Sequence, residues 1–330
     1  MKSLHFVLIL AFILKGFGLF AQDPQFSQFY ASPLYLGPSF AGSSENTRIA
    51  TNYRDQWPKL PGTFTTYALT VDHYISEYNS GLGLFIMRDD AGKGKITSTN
   101  FAANYSYNVH LQRRWYFRPG IKFTYFTRMF DITEVSFPDQ LSFDGMIPTS
   151  VEEPINKKVN HFDFGFSFLF HNPKYWFGAS FDHLIKASPA LQSDPEYTSI
   201  KYLIYGGAKF PIGRMPFNRE GQSIVTSFYF RSQSKYQQLD FGLYYKKDPL
   251  LIGLWYRGIP VFTGKPSNDA LVAMLGYKYN NFRIGYSYDA TISRLITHTG
   301  GAHEISLIYE FDVQSLFNRR DFTPIPCPAL

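Results

Sequence analysis

The sequence predicts an all-β chain, a transmembrane antiparallel β-barrel of about 14 strands and of the outer-membrane type. Three observations carry this reading. Apolar and polar residues alternate with period two in one segment after another. In 162–170, FDFGFSFLF, this puts Phe162, Phe164, Phe166, Phe168 and Phe170 on one side of an extended strand and Asp163, Gly165, Ser167 and Leu169 on the other. Many such segments reach the roughly 9 to 11 residues that a tilted strand needs to cross a bilayer, whereas soluble strands are usually shorter. Aromatic and charged residues each make up 18% of the 330 residues and are finely mixed, and after residue 21 no run approaches 18 uncharged apolar residues, which removes helical spans. A soluble β-sandwich would account for the alternation but not for the strand lengths or so many aromatic rings. In a closed barrel the outward phenylalanines meet lipid and the inward residues meet water or a plug.

Taken in order, residues 1–21 read as a signal peptide: Lys2, an apolar run from Phe6 to Leu14 that is broken at Lys15, and Ala21 before QDPQ. The run falls short of a bilayer span, and no cysteine follows the expected cleavage site, so the chain is not an evident lipoprotein precursor. Residues 22–46 carry Phe26, Phe29, Tyr30, Leu34, Tyr35, Leu36 and Phe40 among prolines that disfavour regular structure. Such a segment is expected to pack into the barrel as a partial plug or against its periplasmic rim. The barrel itself is expected over 47–312, with strands near 47–57, 63–75, 80–89, 95–110, 115–130, 161–171, 174–183, 200–211, 222–232, 236–247, 249–257, 269–280, 282–290 and 302–312. Tight turns, HNPK at 171–174, KKDP at 246–249 and YNNF at 279–282, tend to alternate with longer loops at 131–160, 184–199, 258–268 and 291–301. Two connections break the alternation: 212–221 is long where a turn is due and 233–235 is short where a loop is due, which predicts a misplaced strand in that region.

An even strand number leaves both chain ends on the periplasmic side. There, 313–330 forms a tail with Arg319 and Arg320 as charges, Phe322 and Ile325 as apolar anchors, Cys327, and Pro324, Pro326 and Pro328 favouring an extended backbone that loses little entropy on docking. The tail reads as a candidate docking segment for a periplasmic partner, against the alternative of an unstructured end.

The formal charge of +6 falls to +4 without Lys2 and Lys15, too mild and dispersed for a nucleic-acid partner. Cys327 is the only cysteine, so no internal disulfide or multi-cysteine metal site is available. AGKGKIT at 91–97 lacks the spacing and the hydroxyl of a phosphate loop, His298 and His303 lack companion ligands, and no nucleophile elbow occurs. No enzyme activity, cofactor or metal is expected. A barrel hydrolase would instead show ester or phospholipid cleavage that depends on one serine. Inward positions mix both signs: Arg54, Asp72, Lys122, Arg128, Asp163, Arg231, Asp240, Lys246, Arg257, Lys278, Arg283, Asp289 and Glu310. The mixture favours an internally ion-paired lumen over a selective pore, which usually shows rings of one sign.

QDPQFSQFYASPLYLGPSFAG (22–42), NYRDQWP (52–58), SGLGLFIMRDDAG (80–92), GYSYDATIS (285–293), TGGAHEISLIY (299–309) and the terminal CPAL (327–330) resemble, in order, blocks of the PorP/SprF family of type IX secretion system membrane proteins. The resemblance covers essentially the whole chain after residue 21. Ala31 and Gly37 stand where asparagine is expected, and Leu330 where an aromatic residue is common. It implies an outer-membrane barrel of a Bacteroidota-type organism that helps export or surface-anchor proteins bearing a C-terminal sorting domain, often gliding or adhesin related. The partners it implies are that cargo, periplasmic or lipoprotein secretion components, and outer-membrane lipid. A function of another class, weighed against this, is a passive channel or transporter for hydrophobic or small polar solutes, since a barrel of this strand number must be plugged or conduct water.

Overall fold

Alternation over eight to fifteen residues gives long, two-faced strands that pack edge to edge around a closed surface. The computed structural model describes residues 23–60, 62–92, 96–131, 141–142, 145–146, 158–186, 197–212, 221–259, 269–292, 299–311 and 323–327. The expected signal peptide, 1–21, lies outside the described residues. Fourteen long strands follow one another: β1 (Thr47–Gln56), β2 (Phe64–Ile75), β3 (Ser80–Ala91), β4 (Ile96–Tyr107), β5 (Tyr116–Phe130), β6 (Lys158–His171), β7 (Tyr175–Asp182), β8 (Lys201–Ile212), β9 (Gln222–Gln233), β10 (Tyr236–Lys247), β11 (Leu250–Ile259), β12 (Ala270–Tyr279), β13 (Phe282–Thr291) and β14 (Ala302–Phe311). Each pairs antiparallel with its chain neighbours, and β1 closes on β14 with Tyr53 opposite Ile305 and Arg54 opposite Glu304. No long strand is left with an open edge, which is the condition for placing a sheet in hydrocarbon.

The two irregular connections are real, and no strand is misplaced. β8 and β9 pair from Lys201–Gln233 to Ile212–Gln222, and β9 continues into β10 across a two-residue turn, with Gln233 opposite Tyr236. Alternation of short and long connections is a tendency, whereas register is set by which face of each strand is apolar.

That outer face is mainly apolar, with polar exceptions such as Arg88, Lys158 and Asn160 towards the loop end. Phe162, Leu84, Leu254, Ile284 and Leu307 are among many large side chains left exposed by the protein, as a lipid-facing belt requires. The inner face is buried as well, so the hydrophobic core of this molecule lies inside the barrel, where the strands meet residues 23–42. Of the two surroundings open to an inward residue, water or a plug, Ser167 meets the plug: it is 2% exposed and its Oγ accepts the Ser39 N–H at 2.8 Å. There is no water-filled space there for a longer side chain.

Phe166→Arg, near the middle of β6, is expected to cost about 2 to 4 kcal/mol and to deplete the heat-modifiable folded form on gels. Ser167→Arg is expected to leave the barrel in place but to expose residues 23–46 to protease. Loss of the folded form in both variants, with no added cleavage in the second, would contradict the assigned faces.

Candidate functional site

The lumen is occupied by the chain's own amino-terminal segment. Phe26, Phe29, Tyr30, Leu34, Tyr35 and Phe40, the residues expected to form a plug, are all at least nine-tenths buried inside the barrel. The segment is not a cap on one rim. One end of the barrel carries the short connections at 76–79, 172–174, 248–249 and 280–281 together with the start of β1 and the end of β14, and is here the turn end. The other, the loop end, carries 131–157, 183–200, 260–269 and 292–301. Asp23 sits at the loop end, where its carboxylate meets Lys201 at 2.7 Å and His183 at 3.0 Å, and the chain then runs down the whole lumen to enter β1 at the turn end. The start of the described chain therefore lies at the opposite end from the sequence-based expectation. Strand parity fixes where a strand begins, but not the path of the residues before it.

Polar clamps hold the segment near each end. Towards the loop end, Glu304 accepts the backbone N–H groups of Ser27 and Gln28 at 2.7 and 3.0 Å, while the Gln28 side-chain amide donates to the Glu304 carbonyl at 2.8 Å. The Ser27 hydroxyl donates to Asp289 at 2.7 Å and accepts from Arg54 at 2.8 Å. Arg54 and Arg257 in turn reach Asp289 at 2.8 and 2.9 Å. This network answers the question posed by the mixed lumen charges: two arginines and two carboxylates neutralise one another around two backbone N–H groups that no strand can satisfy. Alongside, Arg231 donates to Gln25 at 2.8 Å, Asp240 accepts the Gln238 amide at 2.9 Å, and Lys122 pairs with Asp182 at 2.5 Å.

Towards the turn end the segment presses its backbone against the wall. A Cβ on Gly81 would lie 1.9 Å from the Ala41 carbonyl oxygen, and one on Gly120 would lie 2.4 Å from the Ser39 nitrogen, so glycine at both positions is a condition of the fit. Ser106 donates to the Ala41 carbonyl at 2.8 Å, Arg118 donates to the carbonyls of Ala41 and Gly42, and Asp72 accepts the Gly42 N–H at 3.1 Å while holding Arg48 at 2.8 Å. Between the clamps lies an aromatic layer. Phe29 stacks on Tyr229 at 5.5 Å and meets Trp255 edge-on at 5.0 Å, Tyr30 meets Tyr244 at 5.6 Å, and Phe40 meets Tyr205 at 5.4 Å.

Each expected lumen charge, Arg54, Asp72, Lys122, Asp163, Arg231, Asp240, Arg283 and Asp289, faces inward in its strand. Glu304, Arg118, Lys201 and Asp182 were not singled out by sequence reasoning. Inward parity was available for all four, but the path of residues 23–42, which makes them matter, was not. At the other terminus, Thr323–Cys327 lies in the turn-end mouth, with the Thr323 hydroxyl donating to Tyr116 at 3.0 Å. Ile325 is 8% exposed and Cys327 packs against the same core, where burial pushes its thiol up to about 12. Ile325 is not presented as a free anchor, because the wall and plug already cover it, whereas Cys327 is only partly buried and lines the turn-end space. Arg319, Arg320 and Phe322 lie outside the described residues.

The loop-end contact of Asp23 is sensitive to pH. Burial alone would raise its carboxyl and lower the His183 imidazole. The Lys201 and His183 charges instead hold Asp23 well below the usual carboxylate range, and Asp23 together with Asp163 raises His183 to about 9. A histidine with a raised folded value contributes its full stabilisation below its unfolded value of about 6.5 and loses it as pH rises through about 9. A spin label at Pro24→Cys, in a Cys327→Ser background, is therefore expected to gain mobility between pH 7 and pH 10. His183→Gln is expected to show that mobility already at pH 7. An unchanged line shape across this range would remove His183 from the contact.

A filled lumen should not conduct. The protein is expected to be silent in planar bilayers, and deletion of 23–42, or Gly81→Leu, is expected to open ion-conducting pores. Equal conductance with and without the segment would show that it does not seal the barrel.

The family model described as type IX secretion system membrane protein PorP/SprF matches residues 19–309. No curated protein matches the chain. Solved structures that resemble it include the CymD monoaromatic hydrocarbon channel, at 10% identity over 86% of this chain and 93% of that one, with a TM-score of 0.49. The toluene transporter TodX of P. putida aligns at 9% identity over 83% and 92%, with a TM-score of 0.47. BamA from Haemophilus ducreyi lacking POTRA domains 1–3 aligns at 9% identity over 81% and 70%, with a TM-score of 0.41.

Proposed function

Because the chain belongs to the PorP/SprF family of type IX secretion system membrane proteins, we propose that it is a sealed outer-membrane barrel that works by binding. It helps to export or to anchor at the cell surface a secreted protein bearing a C-terminal sorting domain, in a gliding or adhesin system, in concert with periplasmic or lipoprotein secretion components. The observation that supports binding over transport is the blocking of the lumen by residues 23–42, which run from the loop end to the floor of the turn-end space. A conduit for solutes would need that volume, whereas a docking component needs only the surfaces at its two ends.

In barrels of this class the short turns face the periplasm and the long loops face outward. On that reading Asp23 reaches the outer side, among the loops that would meet cargo, and Thr323–Cys327 faces the secretion apparatus. Deleting the gene in its own organism is expected to abolish surface display of one dedicated sorting-domain protein, with recovery on complementation. An epitope inserted before Asp23 is expected to be labelled by antibody on intact cells. Undiminished display of every sorting-domain protein in the deletion strain would overturn the assignment.

A further inference from the structure

The cavities inside this barrel differ greatly in size. Two, beside Asp23 and beside Phe29, have volumes of about 50 and 10 Å³, enough for water molecules only. Another, a vestibule at the turn end, measures about 830 Å³, within the roughly 300 to 1,000 Å³ of ordinary ligand sites. Its floor is the plug itself, through Tyr30, Pro33 and Phe40, so it is a blind recess rather than a channel mouth.

The charge balance of the recess is one-sided. Arg48, Arg114, Lys209, Lys246 and Arg283 line it, against Glu45 and Glu310. Arg283 and Glu310 satisfy each other through two hydrogen bonds of 2.9 and 2.7 Å, and Arg48 is held by Asp72. Lys246 also has an interaction of its own, which leaves Lys209 and Arg114, whose side chains have no ion-pair or hydrogen-bond partner among the described residues. At the loop end, by contrast, Arg54, Arg257, Lys122 and Lys201 all face carboxylates within 3 Å. The recess also already accommodates one extended peptide. Thr323–Cys327 runs along its wall without helix or strand, with Ile325 set into the apolar core.

We propose that this vestibule is a peptide socket, which takes an extended acidic segment carrying an apolar anchor residue from a partner on the turn side of the membrane. Lys209 and Arg114 supply the complementary charge, the plug supplies the apolar floor, and Thr323–Cys327 forms one wall. The proposal rests on the reading of the turn end as the face towards the secretion apparatus. Charge complementarity gives the specificity and the floor gives the anchor, so neither a neutral nor a basic peptide of the same length should substitute.

The test uses the full-length protein in detergent and fluorescent peptides of about ten residues, one of Asp and Glu with a central Leu, one with Lys in place of the acids, and one with Gln and Ser. The acidic peptide is expected to bind alone, and to weaken at least about tenfold between roughly 50 and 300 mM salt, as screened charges must. Its bound form is expected to slow alkylation of Cys327, which lines the vestibule, at least about fivefold. Lys209→Glu with Arg114→Glu should raise the dissociation constant about tenfold while the barrel stays heat-modifiable. If that pair does not fold, Lys209→Gln replaces it. Equal binding of the neutral peptide, unchanged affinity in the variants, or no protection of Cys327 would overturn the socket. So would Lys209-dependent binding of phosphatidylglycerol micelles in place of the peptide, which would assign the recess to a lipid headgroup. These readings are made on purified protein, so their failure leaves the cargo-display experiment in cells to judge the secretion role separately.

Discussion

Everything in this structure follows from the enclosure of a wide lumen. Fourteen strands satisfy every backbone group without an edge, as hydrocarbon demands, but the ring they form is too wide for its own inward side chains to fill. The space must hold water or chain. Here it holds residues 23–42, and the inner faces of the strands are therefore read twice, once as barrel wall and once as the counter-surface of a plug.

The double reading explains residues that look out of place in a membrane protein. Glu304 is buried because two plug N–H groups need an acceptor, and Arg54 and Asp289 are buried because Glu304 and Ser27 need neutral surroundings. Glycines at 81 and 120 are empty because a backbone passes over them. A buried ion pair is weak support for stability taken alone. A buried network whose members also satisfy plug backbone groups does something else, since it fixes the height and register of a segment that has no regular secondary structure of its own.

The two ends of the lumen then differ in chemistry. At the loop end, positive and negative side chains are matched around Asp23, Gln25 and Ser27, so that end is closed electrostatically as well as sterically. At the turn end the plug stops short of the rim, the basic side chains outnumber the acidic ones lining the space, and the chain's own Thr323–Cys327 covers only part of it. The barrel thus presents two unlike faces, in keeping with the proposed place between an apparatus on one side and a cargo on the other.

Alternation such as that in FDFGFSFLF was enough to read the class, the strand number and which residues meet lipid, because a period of two assigns faces by local geometry alone. The apolar density of 22–46 was enough to mark a segment that must be buried somewhere, and the ordered blocks were enough to suggest the family. The direction of the plug, the pairing of Glu304 with Ser27 and Gln28, the covering of Ile325 and the basic vestibule were decided only in three dimensions. Each joins residues more than two hundred positions apart, or sets a segment with no periodicity against a curved wall, and no local pattern encodes a contact whose partner is chosen by the closure of the ring.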